Sequence, residues 1–261
     1  MRSRLDLASA DHDDPAVSPA LWRRLVAECV GSAFLAAIVI GSGIAAQRFS
    51  PGAHGLELFE NAAATGAGLG AVIVMFASVS GGHFNPVVSF VDAGLGGLRW
   101  RDAAAYTPAQ LIGCSGGAIL ANLMFARAPI SVSTRHRISG AHFLSEVIAT
   151  LGLVLVIFAL ARTGRSRSAP VAVGAFIGAA YFFASSTSFA NPALTAARTL
   201  SASFSGIAPS SVPGFVGAQL VGGLLGFVLV KSLYPASSAI TGGVRLALHS
   251  PATVAVSEEL P

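Results

Sequence analysis

The chain has 261 residues, of which 53% are hydrophobic and 11% charged, against about 25% charged in a soluble domain. That balance excludes an ordinary soluble fold. The net charge of +4 does not mark a nucleic-acid partner, because the charges sort by side of a membrane. In chain order, residues 1–20 (MRSRLDLASADHDDPAVSPA) are polar and lack the basic-then-apolar order of a signal peptide. They read as a disordered cytoplasmic tail. A bilayer-spanning helix needs about 20 mostly apolar residues. Runs at 24–46, 62–80, 103–126, 142–161, 169–187 and 212–234 fit that length. Residues 236–261 read as a second cytoplasmic tail. Cys29 and Cys114 fall in different runs and read as small buried thiols rather than a disulfide or metal pair.

With the N-terminus inside, Arg2, Arg4, Arg23, Arg24, Arg99, Arg101, Arg162, Arg165, Arg167, Lys231 and Arg245 all fall on the cytoplasmic side. Arg48, Arg127, Arg135, Arg137 and Arg198 fall outside. This is the positive-inside bias, and it places both termini in the cytoplasm of an inner (plasma) membrane protein. Trp22 and Trp100 flank runs on the same side, where indoles sit well among headgroups.

The body, 21–235, repeats itself, with one copy at 21–127 and the other at 141–235. AECVGSAFL carries Glu28 and SEVIATLGL carries Glu146. AQLIGCSGG carries Gln110 and AQLVGGLLG carries Gln219. Between them stand GGHFNPVVSF and SFANPALTAAR, with Asn85, Pro86 and Val87 in one and Asn191, Pro192 and Ala193 in the other. Three spans per copy is an odd number, so the second copy is inverted relative to the first. Inverted repeats place a site near the midplane, where broken helices meet.

The segments after each Asn-Pro are about ten residues, or roughly 15 Å of helix. That reaches halfway into a hydrocarbon core about 30 Å thick. Proline suits the first helical position and asparagine the cap before it. Each half-helix then brings a positive dipole end and a free amide donor to mid-membrane. Irregular backbone at that depth requires a wet cavity or protein around it. Two such donors describe a pore for a neutral, hydrogen-bonding solute. An Asn-Pro pair alone is an ordinary loop cap. Two at matching places in an inverted repeat are not.

These motifs resemble the signatures of the aquaporin, or major intrinsic protein, family over about Trp22 to Tyr234. The resemblance implies an all-α membrane protein with six transmembrane helices and two re-entrant half-helices in an inverted repeat. It also implies a homotetramer with one pore per subunit. Water-selective members carry arginine three residues after the second asparagine; here that position is Leu194. Counting without gaps from the signatures puts the other constriction positions at Thr65, Ala179 and Ser188. Small residues and no guanidinium predict a wider, more apolar opening that admits water, glycerol-like polyols, urea or arsenous acid. The stretch after the second asparagine also resembles a bacterial branch associated with arsenic handling.

Asp92 and Arg198 each lie seven residues after an asparagine, so they fall on similar helical faces and are expected at the two mouths. Arg198 is a candidate vestibule cation, or else a salt-bridge or snorkelling side chain. Glu28 and Glu146 suit either a proton relay or a scaffold for the N–H groups of the re-entrant loops. Family resemblance agrees with the scaffold. His83 either lines the cytoplasmic approach or senses pH, or is a structural histidine. No metal-ligand cluster, nucleophile pair or cofactor fingerprint stands out, which argues against an enzyme and implies no cofactor. The remaining rivals are an ion-coupled secondary transporter, which also uses broken-helix repeats, and an adhesive or junctional membrane protein with a closed pore.

Overall fold

The computed structural model describes residues 19–235. The two tails expected from the sequence lie outside the described residues, apart from residues 19 and 20. Eight α-helices run in the order α1 (Leu21–Phe49), α2 (His54–Ser80), α3 (Pro86–Leu95), α4 (Trp100–Met124), α5 (Gly140–Arg162), α6 (Ala169–Phe183), α7 (Pro192–Ala197) and α8 (Val212–Leu233). No strand occurs among the described residues. Six of these helices span the membrane, and α3 and α7 are the two half-helices of an inverted repeat.

Four stretches, containing α1, α2, α5 and α8, are long and apolar enough to cross a membrane by length and composition alone. The outward faces carry Ile112, Val171, Phe182 and Leu224, each more than half exposed. A helix that is apolar on its outer face as well as its inner one has lipid as its natural solvent. The helix α2 starts at His54, eight residues before the apolar run at 62. Its first turns carry Glu57, which accepts the Gly52 N–H at 3.1 Å, and Glu60, which accepts the Ser50 hydroxyl at 2.6 Å. Carboxylates are favourable at a helix N-terminus, so the helix continues beyond the span. The half-helices differ in length. The helix α3 has ten residues, as the spacing predicts, but α7 has six and tightens into a 3₁₀ turn over Arg198–Leu200.

Within each repeat the first and last long helices pack closely, α1 on α4 and α5 on α8, while α2 packs on α6 across the repeats. Small residues permit this approach. A Cβ at Gly113 or Gly117 of α4 would collide with the Cys29 or Ala33 carbonyl of α1. In the other repeat, a Cβ at Gly222 of α8 would collide with the Val147 carbonyl of α5. Close backbone approach at small residues drives helix association in lipid, where hydrophobic burial gives no advantage.

Gly117→Val is expected to destabilise the protein by about 1–3 kcal/mol, the usual cost of overpacking. The neighbouring Gly116, which has open space around its would-be Cβ, serves as the control. Thermal unfolding in detergent should show a lowered midpoint for Gly117→Val and an unchanged one for Gly116→Val.

Candidate functional site

The second and fifth long helices of the bundle set the walls of an enclosed channel. Ala169, Val173, Ile177 and Tyr181 of α6 face it, each four residues after the last. They form one stripe of the helix, about 18 Å long at 1.5 Å per residue. Thr65, Leu69 and Ile73 of α2 repeat the spacing from the other side, with Leu35 and Val39 of α1 and Leu153 and Ile157 of α5. The cavity they enclose has a volume of about 70 Å³, where one ordered water needs roughly 10–15 Å³. It therefore has room for a short file of waters.

Both asparagines enter this cavity. Each caps its half-helix: Asn85 Oδ1 accepts the Val87 N–H at 3.0 Å, and Asn191 Oδ1 accepts the Ala193 and Leu194 N–H groups at 3.0 and 3.2 Å. The sequence predicts free side-chain NH₂ groups, and the structure shows each of them partly engaged. Asn85 Nδ2 donates to the Ala190 carbonyl and Asn191 Nδ2 to the Phe84 carbonyl, each at 2.7 Å. One amide hydrogen of each thus ties the two loops together. Pro86, Val87, Pro192 and Ala193 stand behind the asparagines rather than on the cavity wall. Val87 packs instead toward Gly223 of α8.

The loops before the two caps share one backbone course. Gly81, Gly82 and Phe84 have φ of 96°, 66° and 48°, and their counterparts Thr187, Ser188 and Ala190 have 65°, 50° and 49°. Left-handed backbone costs a non-glycine residue about 1–2 kcal/mol. The second loop thus keeps two side chains where glycine would be unstrained. One of them, Ser188, faces the cavity, and its buried hydroxyl has no protein partner.

Glu28 and Glu146 hold these loops from behind. Glu28 accepts the Ser80 hydroxyl, the His83 and Phe84 N–H groups and the Gln110 amide at 2.6–3.0 Å. Glu146 accepts the Ser186 hydroxyl, the Phe189 and Ala190 N–H groups and the Gln219 amide at 2.6–2.9 Å. Both glutamines also donate onward, Gln110 to Ser89 and Gln219 to Thr195, whose hydroxyls return to the asparagine carbonyls. The sequence carried a signal for the extra members that went unread. Ser80 and Ser186 each precede an asparagine by five residues, and Ser89 and Thr195 each follow one by four.

Of the four expected constriction residues, Thr65, Ser188 and Leu194 lie on the cavity wall and Ala179 does not. Ala179 is exposed on the outer face of α6. At about 100° per residue it points roughly opposite to Ile177 and Tyr181, two residues away on either side. Tyr181 takes its place, with its hydroxyl 3.1 Å from that of Thr65. The stripe of every fourth residue on α6 would have found it. The wide opening expected from Ala179 is corrected accordingly, since a phenol ring occupies that wall.

The expected mouth residues are more enclosed than the sequence suggested. His83 lines the cavity, with Nδ1 3.1 Å from the Ser89 hydroxyl and Nε2 3.4 Å from Asp92. Asp92 is buried against this ring rather than open at a mouth. Arg198 is 1% exposed. Its Nε donates to the Ser205 carbonyl, and its guanidinium lies 3.4 Å from the centre of the Phe189 ring. A second guanidinium, from Arg137 in the connection between α4 and α5, lies 5.3 Å from the same ring. Nothing in the sequence pattern distinguished Arg137 from its neighbours Arg127 and Arg135.

The major intrinsic protein family matches residues 16–190 of the chain. An aquaglyceroporin, AqpS, of Rhizobium meliloti (strain 1021) is 45% identical over 213 residues, covering 82% of this chain and 91% of that protein. A probable aquaporin, TIP2-2, of Oryza sativa subsp. japonica is 31% identical over 176 residues, covering 64% of this chain and 69% of that protein. The X-ray structure of the aquaglyceroporin from Plasmodium falciparum superposes with a TM-score of 0.64 at 21% identity, covering 82% of this chain and 97% of that one. That likeness is one of fold.

Glu146→Leu leaves four buried donors without an acceptor, at about 1–3 kcal/mol for each lost partner. The variant is expected to lose most of its folded yield, and Glu28→Leu to behave alike. Size-exclusion profiles and thermal midpoints of detergent-solubilised protein check this. A relay role without a structural one predicts normal midpoints instead.

Proposed function

Because the chain belongs to the major intrinsic protein family of membrane channels, and is not an enzyme, we propose that it passes glycerol-like polyols and arsenous acid as well as water. The path is the cavity between α2 and α6, through a constriction that has Leu194 in place of arginine. The observation that carries this reading is the wall itself. It is apolar along Leu69, Ile73, Val173 and Ile177, and its polar groups include the Thr65, Tyr181 and Ser188 hydroxyls and the Asn85 and Asn191 amides. Hydroxyls both donate and accept. They can exchange hydrogen bonds with a polyhydroxylated solute, while the aliphatic wall covers its carbon side. Glycerol and arsenous acid each present three hydroxyls and no charge. The relative AqpS carries the name aquaglyceroporin, in keeping with such a solute.

Selectivity in pores of this kind rests on diameter, lining groups and electrostatic barriers. Here Tyr181 supplies bulk and a hydroxyl, Leu194 an uncharged wall, and the paired asparagines a donor at the centre. Glu28 and Glu146 act as scaffolds that hold the loops, with His83 and Asp92 at the cytoplasmic approach. The body 21–235 is one channel unit, assembled as a homotetramer in the inner membrane, with both tails cytoplasmic. Lys231 and the arginines clustered on one side support that orientation.

Stopped-flow swelling of proteoliposomes against water, glycerol, urea and arsenite tests the reading. Flux should be linear in solute concentration and independent of a proton gradient. Water flux with exclusion of every larger solute, or saturating and gradient-driven flux, overturns it. Leu194→Arg should lower glycerol flux by about tenfold or more, equivalent to about 1.4 kcal/mol of barrier.

Tyr181→Ala should admit four- and five-carbon polyols that the parent rejects. Ala179→Phe should leave the solute profile unchanged, because its side chain faces away from the path. Swelling rates across a polyol series measure both, and a blocked Ala179→Phe channel reverses the assignment.

A further inference from the structure

Two arginines are buried beside the cavity with no acid to balance them. Arg137 is 8% exposed and Arg198 1%. Neither makes an ion pair among the described residues. Arg137 is held entirely by carbonyls: Nε by Gly206 at 3.2 Å, and its terminal nitrogens by Ser186 and Phe204 at 3.3 Å each. Arg198 donates to Ser205, and one of its terminal nitrogens has no partner at all. Burying a charge without a counter-charge is costly. Both guanidiniums lie against the same aromatic ring, Phe189, which attracts a cation to its face but does not neutralise it. Phe189 is itself part of the cavity wall, next to the unpartnered Ser188 hydroxyl. The carboxylate whose charge acts on both, Glu146, already accepts three hydrogen bonds from the loop and one from Gln219.

Leu194 puts no charge at the constriction. We propose that Arg137 and Arg198, acting through Phe189, supply the positive field at this mouth and make the pore selective against cations, protons included. A charge set behind an aromatic ring takes no width from the path. Its field still reaches the solute, because low-dielectric surroundings screen it weakly. Burial pushes the Arg137 guanidinium down to about 10, with the neighbouring Arg135 acting in the same direction. It therefore stays charged at neutral pH. The loop 125–139 thus provides a charge from outside the two signature segments, and the left-handed turn at Ser188 brings the ring between that charge and the path.

This inference rests on the cavity being the solute path, and the test separates the two. The full chain carrying Ser188→Cys is reconstituted and treated from either side with thiol reagents of matched size, one anionic and one cationic. The unmodified protein, with Cys29 and Cys114, gives the background. The anionic-to-cationic rate ratio should exceed that of a free thiol in solution by about tenfold or more, corresponding to about 1.4 kcal/mol. Adding Arg137→Gln or Arg198→Gln should pull the ratio back toward the free thiol, and Arg137→Lys should retain it. In vesicles, the glutamine variants should raise proton conductance while glycerol flux persists. A ratio equal to the free thiol's overturns the charge role and leaves the path intact, and it is read without any arginine variant having to fold. Failure of both reagents to react overturns the path, and this proposal with it.

Discussion

Two amide hydrogens join the halves of this protein at its centre. Asn85 donates to the carbonyl before Asn191, and Asn191 to the carbonyl before Asn85. Neither bond can form unless both loops turn their carbonyls toward each other. The left-handed residues Phe84 and Ala190 do this, immediately before each asparagine. The local strain is offset by the two glutamates, each of which accepts the N–H of the strained residue and of the one preceding it. The remaining lone pairs of each carboxylate take a serine hydroxyl and a glutamine amide, so both oxygens of each glutamate are engaged. Removing either glutamate strands buried donors in a region with no bulk water to replace it.

From that crosslink the rest of the interior follows. The half-helices α3 and α7 are fixed tip to tip, each capped by its own asparagine oxygen. Each asparagine engages its oxygen in the cap and one hydrogen with the opposite loop, and both residues line the cavity. The long helices then approach through small residues, Gly113 and Gly117 in one repeat and Gly222 in the other. Every fourth residue of α2 and α6 forms the tube. The glutamate and glutamine hydrogen-bond pattern repeats in both halves, and the turn before each asparagine does not. Glycines on the turn before Asn85 become Thr187 and Ser188 before Asn191. One half thereby keeps a bare backbone beside His83, and the other presents a hydroxyl and an aromatic ring.

Much of the fold was legible because its causes are local or periodic. Six apolar runs, two Asn-Pro pairs, two glutamates and two glutamines recur in one order, and repetition distinguishes a device from an accident. The helix ends were legible to within a few residues, except at α2, where Glu57 and Glu60 extend the helix beyond the apolar run. The constriction was less legible. Thr65, Ser188 and Leu194 reach the cavity, but Ala179 turns outward and Tyr181 turns in. A shift of two residues around a helix reverses a side chain's direction, and gap-free counting cannot detect it.

The sequence by itself determined the solvent, the inverted repeat and the caps, because these depend on apolar length, on periodic recurrence and on residue types that satisfy backbone groups within a few positions. Only the tertiary structure decided which side chains meet across the repeats. The Asn85–Ala190 crosslink, the Thr65–Tyr181 pair and the seating of Arg137 beside Phe189 join residues 52 to 116 positions apart in the sequence. Such meetings are set by helix rotation and loop course, which the packing of the whole bundle fixes and no local pattern encodes.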